Sequence, residues 1–224
     1  MLFKKLRKQI HTCKSCFSDV KDGSFHSLFS DEKNICDDCI YEGKPIFREF
    51  RINEISGISI YDYNSYIRTK MFTYKICEDY ELKDFFLAPY KLEIKLRYFN
   101  YIIVPIPSFK EDDLERGYNH VVEIFKCLKL KIYYCLIKTK NVKQKLLNYE
   151  ERQHIGECME FNKEFDIKNK KILLVDDVIT TGASMKGAIK ILKENGAKII
   201  EILSICKREF SEEEKKALKN ISIL

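Results

Sequence analysis

The chain has 224 residues, 45% of them hydrophobic and 33% charged, with a net charge of +6. That length holds one α/β domain of ordinary size with a small appendage, and the composition excludes a disordered or fibrous chain. The charge is compatible with an anionic ligand or a nucleic-acid surface and selects neither. No apolar run approaches the roughly 18 residues that a membrane span needs. The amino-terminal segment, Met1-Leu-Phe-Lys-Lys-Leu-Arg-Lys8, is charged without an apolar core behind it, so it does not read as a secretory signal and the chain is expected in the cytoplasm.

Two cysteine pairs come first, Cys13-Lys-Ser-Cys16 and Cys36-Asp-Asp-Cys39, separated by nineteen residues. That is the spacing of a zinc ribbon, in which each pair reaches one tetrahedral ion and the intervening chain folds back. A redox dithiol explains one pair but not two. Four thiolates leave no open position, so the zinc is expected to be structural, and metal binding supplies folding energy to a segment too poor in large aliphatics to build a core. His11 and His26 lie nearby and are read as surface residues. The basic cluster Lys4, Lys5, Arg7 and Lys8 is a solvated face in its plain reading and a nucleic-acid contact in the sharper one. The boundaries expected are a zinc-ribbon module over 1–44, an α/β domain over 45–210 and a short helical tail over 211–224.

Phe47 to Ile52 and Ile58 to Tyr63 read as two β segments around Ser56-Gly57, a hairpin. Tyr66 to Tyr80 and Leu82 to Phe99 read as helices broken near Pro89. Tyr101-Ile-Ile-Val-Pro-Ile-Pro-Ser108 begins as a buried strand that its prolines end, leaving Ser108 and Lys110 as amides and a cation at the carboxyl edge of a sheet. Leu114-Glu-Arg-Gly-Tyr-Asn-His120 is expected to run into a helix with Leu114, Tyr118, Val121, Val122, Phe125 and Leu128 inward. Arg116 then stands near a helix start, against the macrodipole, a conflict that an anion resolves; a solvated arginine is the plain alternative. A strand at Lys131 to Ile137 precedes a polar stretch, Lys138 to His154, of the length and composition of a lid or mobile segment.

Lys171-Ile-Leu-Leu-Val-Asp-Asp-Val-Ile-Thr-Thr-Gly-Ala-Ser184 is the most informative string. Lys171 to Val175 is a short run suited to a strand buried on both faces, with Asp176 and Asp177 where that strand should end. Met185, Ala188, Ile189 and Leu192 then recur at helical spacing, and Asn195-Gly196 supplies the stop. Strand, turn and helix in that order place the turn where open parallel sheets bind ligands. Thr180, Thr181 and Ser184 offer hydroxyls, Gly182 lets the backbone come close, and the first helix amides favour a phosphate. An anion would be repelled by Asp176 and Asp177, which therefore want hydroxyl groups or a metal. A ribose 5-phosphate satisfies both halves. A lone Asp-Asp would read as a strand end capping the next helix; the whole string favours the ligand.

The string resembles the phosphoribosyl-pyrophosphate (PRPP) signature of type I phosphoribosyltransferases. The resemblance implies ribose hydroxyls on Asp176 and Asp177, and the 5-phosphate on Thr180, Thr181, Gly182, Ala183 and Ser184, with Ser108 as a further PRPP contact. Val104-Pro-Ile-Pro107, Arg116-Gly-Tyr-Asn-His120, Gln144 with Leu147 and Glu151-Arg152, and the four cysteines together resemble the ComF family of competence proteins, from Cys13 to about Cys206. His120 stands where that family usually has Gln, Asn141 where a Thr often precedes the loop Gln, and His154 and Ile155 in place of an Asn. The resemblance implies a type I phosphoribosyltransferase-like α/β fold, a parallel sheet flanked by helices with a small amino-terminal zinc ribbon. It also implies zinc as a structural metal and magnesium with PRPP. The role implied is in natural transformation, handling single-stranded DNA with other competence proteins near the inner membrane, to which the chain could be peripheral. The alternative is a metabolic enzyme transferring phosphoribosyl to a base or amine, with Arg116, Lys110 and Arg152 as the catalytic candidates that steady pyrophosphate.

Overall fold

The computed structural model describes residues 11–20, 34–138 and 159–209. The cluster Lys4, Lys5, Arg7 and Lys8, the polar stretch beyond Lys138 with Arg152, and the tail 211–224 lie outside the described residues.

The chain enters through a small antiparallel pair, His11–Thr12 (β1) and Asp19–Val20 (β2), which brackets the first two cysteines. A short helix, Asp37–Gly43 (α1), starts directly after Cys36 and carries Cys39 in its first turn. Strands Pro45–Ile52 (β3) and Ile55–Asp62 (β4) form an antiparallel hairpin in which Ile52 faces Ile55. The turn is therefore at Asn53 and Glu54, not at Ser56-Gly57. Asn53 takes φ 54°, a left-handed conformation that asparagine tolerates. Gly57 lies inside β4 opposite Phe50, and a Cβ there would stand 2.6 Å from the Phe50 ring and 2.9 Å from Ile202 Cβ. The glycine admits close packing rather than making the turn.

Ser65–Lys75 (α2) follows, with the Asn64 side chain accepting from the Ile67 amide at its start. The expected second helix is Lys83–Leu87 (α3) and Lys91–Arg97 (α4), parted by a 3-10 turn at Ala88–Tyr90 that contains Pro89. Ile102–Pro105 (β5) is the strand that the Val-Pro-Ile-Pro segment ends. Lys110–Arg116 (α5) is a helix of its own, closed by Gly117 at φ 80°, and His120–Phe125 (α6) is a second one. Arg116 thus sits in the last turn of α5, where a cation suits the macrodipole, and the expected conflict does not exist. Leu114 is 72% exposed because it belongs to that separate surface helix. The strand expected over Lys131 to Ile137 reduces to Leu136–Lys138 (β6), paired with Met159–Phe161 (β7), and a single bridge from Ile132 to Ile103.

Lys171–Ile179 (β8), Ala183–Glu194 (α7) and Ile199–Lys207 (β9) complete the described elements. The main sheet has the order β3-β4-β9-β8-β5. Its β4-β9, β9-β8 and β8-β5 pairings are parallel, while β3 is an antiparallel edge, so the expected parallel sheet is mixed. One face is covered by α7 through Met185, Ala188, Ile189 and Leu192, packed on Ile172, Leu174, Ile200 and Ile202. The other face takes α2, α3, α4 and α6 over Leu173, Val175, Leu203 and Ile205. Strand residues buried on both faces explain the unbroken apolar run from Ile172 to Val175 in β8. Cys13, Ile35, Cys36, Cys39 and Ile40 join this second core, so the cysteine knuckle leans on the α/β body. Among the described residues no helix is long and apolar enough to cross a membrane.

Candidate ligand site and metal centre

Strand β8 does not stop at the acidic pair; it runs on to Ile179, with Asp176 paired to Ser204 and Val178 to Cys206. Alternation holds from Ile172 to Val175 and breaks past the acidic pair, where Val178 packs on the α2 and α6 core and Ile179 on the α7 core. Asp176 is half-buried and Asp177 is 3% exposed, and the two carboxyl groups interact with each other and with Lys75.

The turn after β8 reaches α7 through Gly182 at φ 75°, a conformation that glycine adopts freely. A Cβ on Gly182 would meet Ile52 Cδ1 at 3.2 Å, so the loop rests directly on the end of β3. Thr180 and Thr181 are exposed, and Ala183 and Ser184 half-buried. The Thr181 hydroxyl accepts from the Ala183 amide at 3.4 Å. Helix α7 has no side-chain cap and no acidic residue in its first turn. Its amino end is left ready for an anion. The predicted loop residues and Asp176 are thus gathered at one edge of the sheet.

Asp177 is held by groups that sequence reading missed or valued differently. Lys75, the last residue of α2, pairs with its Oδ2, and His120 Nε2 lies 3.1 Å from the same oxygen. Its Oδ1 accepts from the Val178 amide at 2.6 Å. Arg116 NH1 lies 3.2 Å from His120 Nδ1. An arginine only donates, so Nδ1 accepts and the neutral ring carries its proton on Nε2, toward Asp177. Arg116 also faces Asp113 at 3.6 Å. Asp113 accepts from Ser108 at 2.6 Å and from Asn119 at 2.8 Å, and Asn119 caps α6 through the Val122 amide. Tyr74 donates to the His120 carbonyl at 2.9 Å and Tyr118 to the Tyr74 carbonyl at 3.0 Å, tying α6 to α2. Ser108 and Arg116 therefore belong to the network behind the acidic pair, while Lys110 opens α5 and is exposed.

Lys75 carries no motif. Its only sequence signal is position: it continues the inward stripe of Ile67, Met71 and Tyr74 on α2, where a charge needs a partner.

The electrostatics separate the two carboxylates further. Burial opposes ionisation of Asp177, but the Lys75 ammonium and the His120 imidazole hold its carboxyl well below the usual carboxylate range. Burial, then the neighbouring Asp177 charge, push the Asp176 carboxyl well above that range. Lys75 and the Asp177 amide compensate a charged Asp176 only in part, and a bound cation or sugar hydroxyls would add to them.

At the amino end the Cys13, Cys16, Cys36 and Cys39 sulfurs all lie within 4.8 Å of one another. Cys13 and Cys39 are 3.9 Å apart and Cys16 and Cys36 3.6 Å. A tetrahedral zinc with Zn–S bonds of about 2.3 Å sets its sulfurs about 3.8 Å apart, so the cluster fits that ion. The Ser15 and Cys36 amides donate to Cys13 Sγ at 3.4 and 3.3 Å, as suits a thiolate. Burial pushes the Cys39 thiol up to about 12, while hydrogen bonds from Ser18 bring Cys16 down to about 6 against its burial. A cation at the centre would let the four sulfurs serve together as thiolates. The knuckle is docked by Lys14 on Glu81 and Asp84, at 2.6 and 2.7 Å, and by Lys70 of α2 on the Ser15 carbonyl at 2.9 Å.

The chain is similar to several known proteins. A phosphoribosyl transferase domain family model matches residues 119–223. The competence protein ComFC of Bacillus subtilis is 31% identical over 140 residues, 62% of this chain and 58% of that protein, so the match spans less than two thirds of its length. The competence protein ComFC of Streptococcus pneumoniae is 31% identical over 152 residues, 67% of this chain and 68% of the relative. Among solved structures, an adenine phosphoribosyl transferase from Trypanosoma brucei is 16% identical, with a TM-score of 0.38, over 70% of this chain and 87% of that one.

Proposed function

The chain belongs to the ComF family of competence proteins, and from that premise we propose that it binds PRPP with magnesium at the carboxyl edge of its sheet and acts in natural transformation, handling incoming single-stranded DNA. One observation carries the ligand reading: a half-buried carboxylate, Asp176, stands near the carboxyl end of the strand that leads directly into the uncapped amino end of α7. The acidic pair supplies the end that takes sugar hydroxyls. Thr180, Thr181, Gly182, Ala183 and Ser184 supply the end that takes the 5-phosphate. Magnesium is held by one or two carboxylates together with substrate phosphates, and Asp176 fits that requirement. When bound, the ion neutralises pyrophosphate charge. Lys110, Arg116 and Arg152, with Ser108, are the chain's own groups for pyrophosphate; both described contacts of Arg116 use NH1, one part of a five-donor fork.

Zinc fits the four cysteines as a structural ion, since no coordination position is left open. The DNA reading rests on the basic amino-terminal segment, the family and the net charge of +6. Lys4, Lys5, Arg7 and Lys8 are the phosphate contacts proposed for a single strand, and other competence proteins near the inner membrane are the proposed partners. Titration of labelled single-stranded DNA against the full chain and a Lys4, Lys5, Arg7 and Lys8→Ala variant tests it. Binding that weakens with salt, and weakens further in the variant, supports the reading, because each lost cation releases fewer counterions. Equal binding by both moves the contact elsewhere.

A further inference from the structure

We infer that the amino edge of the main sheet, opposite the ligand loop, is a binding surface for a single strand of nucleic acid, with phosphates on its lysines and bases on its aromatic rings. This inference rests on the single-strand reading above and adds a surface for the bases. Topology is the first reason. Strands β9, β8 and β5 run parallel and start level, since Lys171 pairs with Ile199 and Ile102 with Ile172. Their entry loops therefore lie side by side on the edge away from Asp176. The Asn169 amide donates to the Gly196 carbonyl at 2.9 Å and the Lys198 amide to the Lys170 carbonyl at 2.8 Å, which joins two of those loops. Lys131 and Tyr133 extend the row past β5 through backbone bonds with Ile103.

Charge is the second reason. The loop into β8 carries Lys168, Lys170 and Lys171, and the loop into β9 carries Lys198. Lys131 stands beyond β5, and α4, which leads into β5, ends with Lys95 and Arg97. The carboxylates near them, Glu93, Glu164, Asp166, Glu194 and Glu201, are fewer, and Glu201 accepts from the Tyr101 hydroxyl. A row of cations in this excess attracts a polyanion.

Aromatic rings interleave with these cations, the combination that holds an unpaired strand. Phe99, just past the end of α4, is 70% exposed. Lys171 Nζ stands 5.5 Å from the Tyr101 ring centre, the Arg97 guanidinium 5.7 Å from that of Tyr98, and Lys131 Nζ 5.0 Å from that of Tyr133. Tyr133 and Phe165, with ring centres 5.3 Å apart, line a cleft of about 360 Å³ together with Lys131, Glu164, Asp166 and Lys170. Its walls suit a base better than a phosphate: the rings offer stacking faces, the lysines donate, and the carboxylates accept from an exocyclic amine. The lysines outside the cleft are left for the neighbouring phosphates. An anionic bilayer would also meet the lysines, but it has no use for a cleft that holds carboxylates. The row from Tyr133 to Lys198 crosses three strand spacings, about 14 Å, so the site is short.

The test is anisotropy titration of labelled oligodeoxycytidylate across a salt series, with the full chain and four variants. One removes edge charge (Lys131→Ala, Lys170→Ala and Lys198→Ala together), and two remove rings, Phe99→Ser and Tyr133→Leu. The fourth, Arg68→Ala with Lys186→Ala and Lys190→Ala, removes the same charge from exposed positions on α2 and α7. Each lost phosphate contact takes about 0.7 from the slope of log affinity against log salt, so the edge triple should lose about 2 and the control triple nothing. Phe99→Ser and Tyr133→Leu should each weaken binding at least about fivefold with the slope unchanged, because a base loses its stacking face and no counterion is involved. Circular dichroism and melting curves confirm that each variant is folded at the titration temperature. If the full chain binds and the edge triple matches the control triple, the strand lies elsewhere and this inference alone is wrong. Edge variants that keep the oligonucleotide but no longer sediment with phosphatidylglycerol vesicles would make the edge a membrane surface and equally overturn it. An unmodified chain that binds no strand would overturn the single-strand reading itself and this inference with it.

Discussion

At the scale of single residues, Asp176 and Asp177 are neighbours with opposite thermodynamic signs. The Asp176 carboxyl is raised above its ordinary value by burial and then by Asp177. An unfolded aspartate ionises near pH ~4. As pH climbs past that point the unfolded state releases a proton that the folded state still holds, so Asp176 subtracts stability until it ionises in the fold, and the loss is then constant. Asp177 is depressed by Lys75 and His120, so it adds stability above pH ~4 that is lost as pH falls through its folded value. Asp176→Asn should therefore raise the melting temperature of the ligand-free chain at neutral pH, by about 2–4 °C for each kcal/mol removed, while abolishing ligand binding. The gain should shrink toward pH 4. Asp177→Asn should do the reverse and cost about 3 kcal/mol, since it leaves Lys75 without its carboxylate; the quarter of the Lys75 side chain that stays exposed keeps the figure at the lower end. Melting curves of both variants across pH 4 to 8 measure the two signs side by side.

At the scale of elements, the glycines show how local backbone demands shape the site. Gly182→Ala places a Cβ at a φ of 75° and 3.2 Å from Ile52 Cδ1, so the loop must shift to relieve both. A loss of about 1–2 kcal/mol in stability is expected, with weaker phosphate binding because the first amides of α7 move with the loop. Gly57→Ala meets Phe50 at 2.6 Å and Ile202 Cβ at 2.9 Å. Phe50 can yield but the Ile202 backbone stem cannot, and about 1–3 kcal/mol of overpacking follows with ligand affinity little changed. Denaturant titration of both variants distinguishes a loop effect from a packing effect.

The same elements mark what the sequence made legible. The β8, turn and α7 unit could be read because its signals are contiguous: an apolar run, an acidic pair, a Thr-Thr-Gly turn and a helical stripe. The cysteine cluster could be read because metal geometry fixes ligand spacing. The α5 and α6 boundary is not legible, since Arg116-Gly117 looks like a helix entry while Gly117 closes one helix before Asn119 caps the next. Lys75 was invisible because its partner lies far along the chain, and only tertiary packing brings α2 over the end of β8. The run of β8 through the acidic pair to Ile179 has no sequence signal, because two adjacent carboxylates read as a strand end.

At the scale of the whole molecule, the knuckle and the ligand site share one helix. Helix α2 holds the Ser15 carbonyl through Lys70 and Asp177 through Lys75, and the buried cysteines are continuous with the core beneath it. Removing zinc should therefore lower the melting temperature of the whole chain in a single transition, not melt a separate module, and metal analysis should find about one zinc per chain before chelation. An unchanged transition after complete zinc removal would show that the knuckle and the body are independent.

The central claim is that the carboxyl edge of the sheet binds PRPP through Asp176, magnesium and the loop that leads into α7. Calorimetric titration of PRPP into the purified chain, with magnesium and then with chelator, tests it most directly. Saturable binding of one PRPP per chain in magnesium, lost with chelator and lost in Asp176→Asn, is the predicted result. Absence of binding by the unmodified chain, or equal binding by Asp176→Asn, would contradict it.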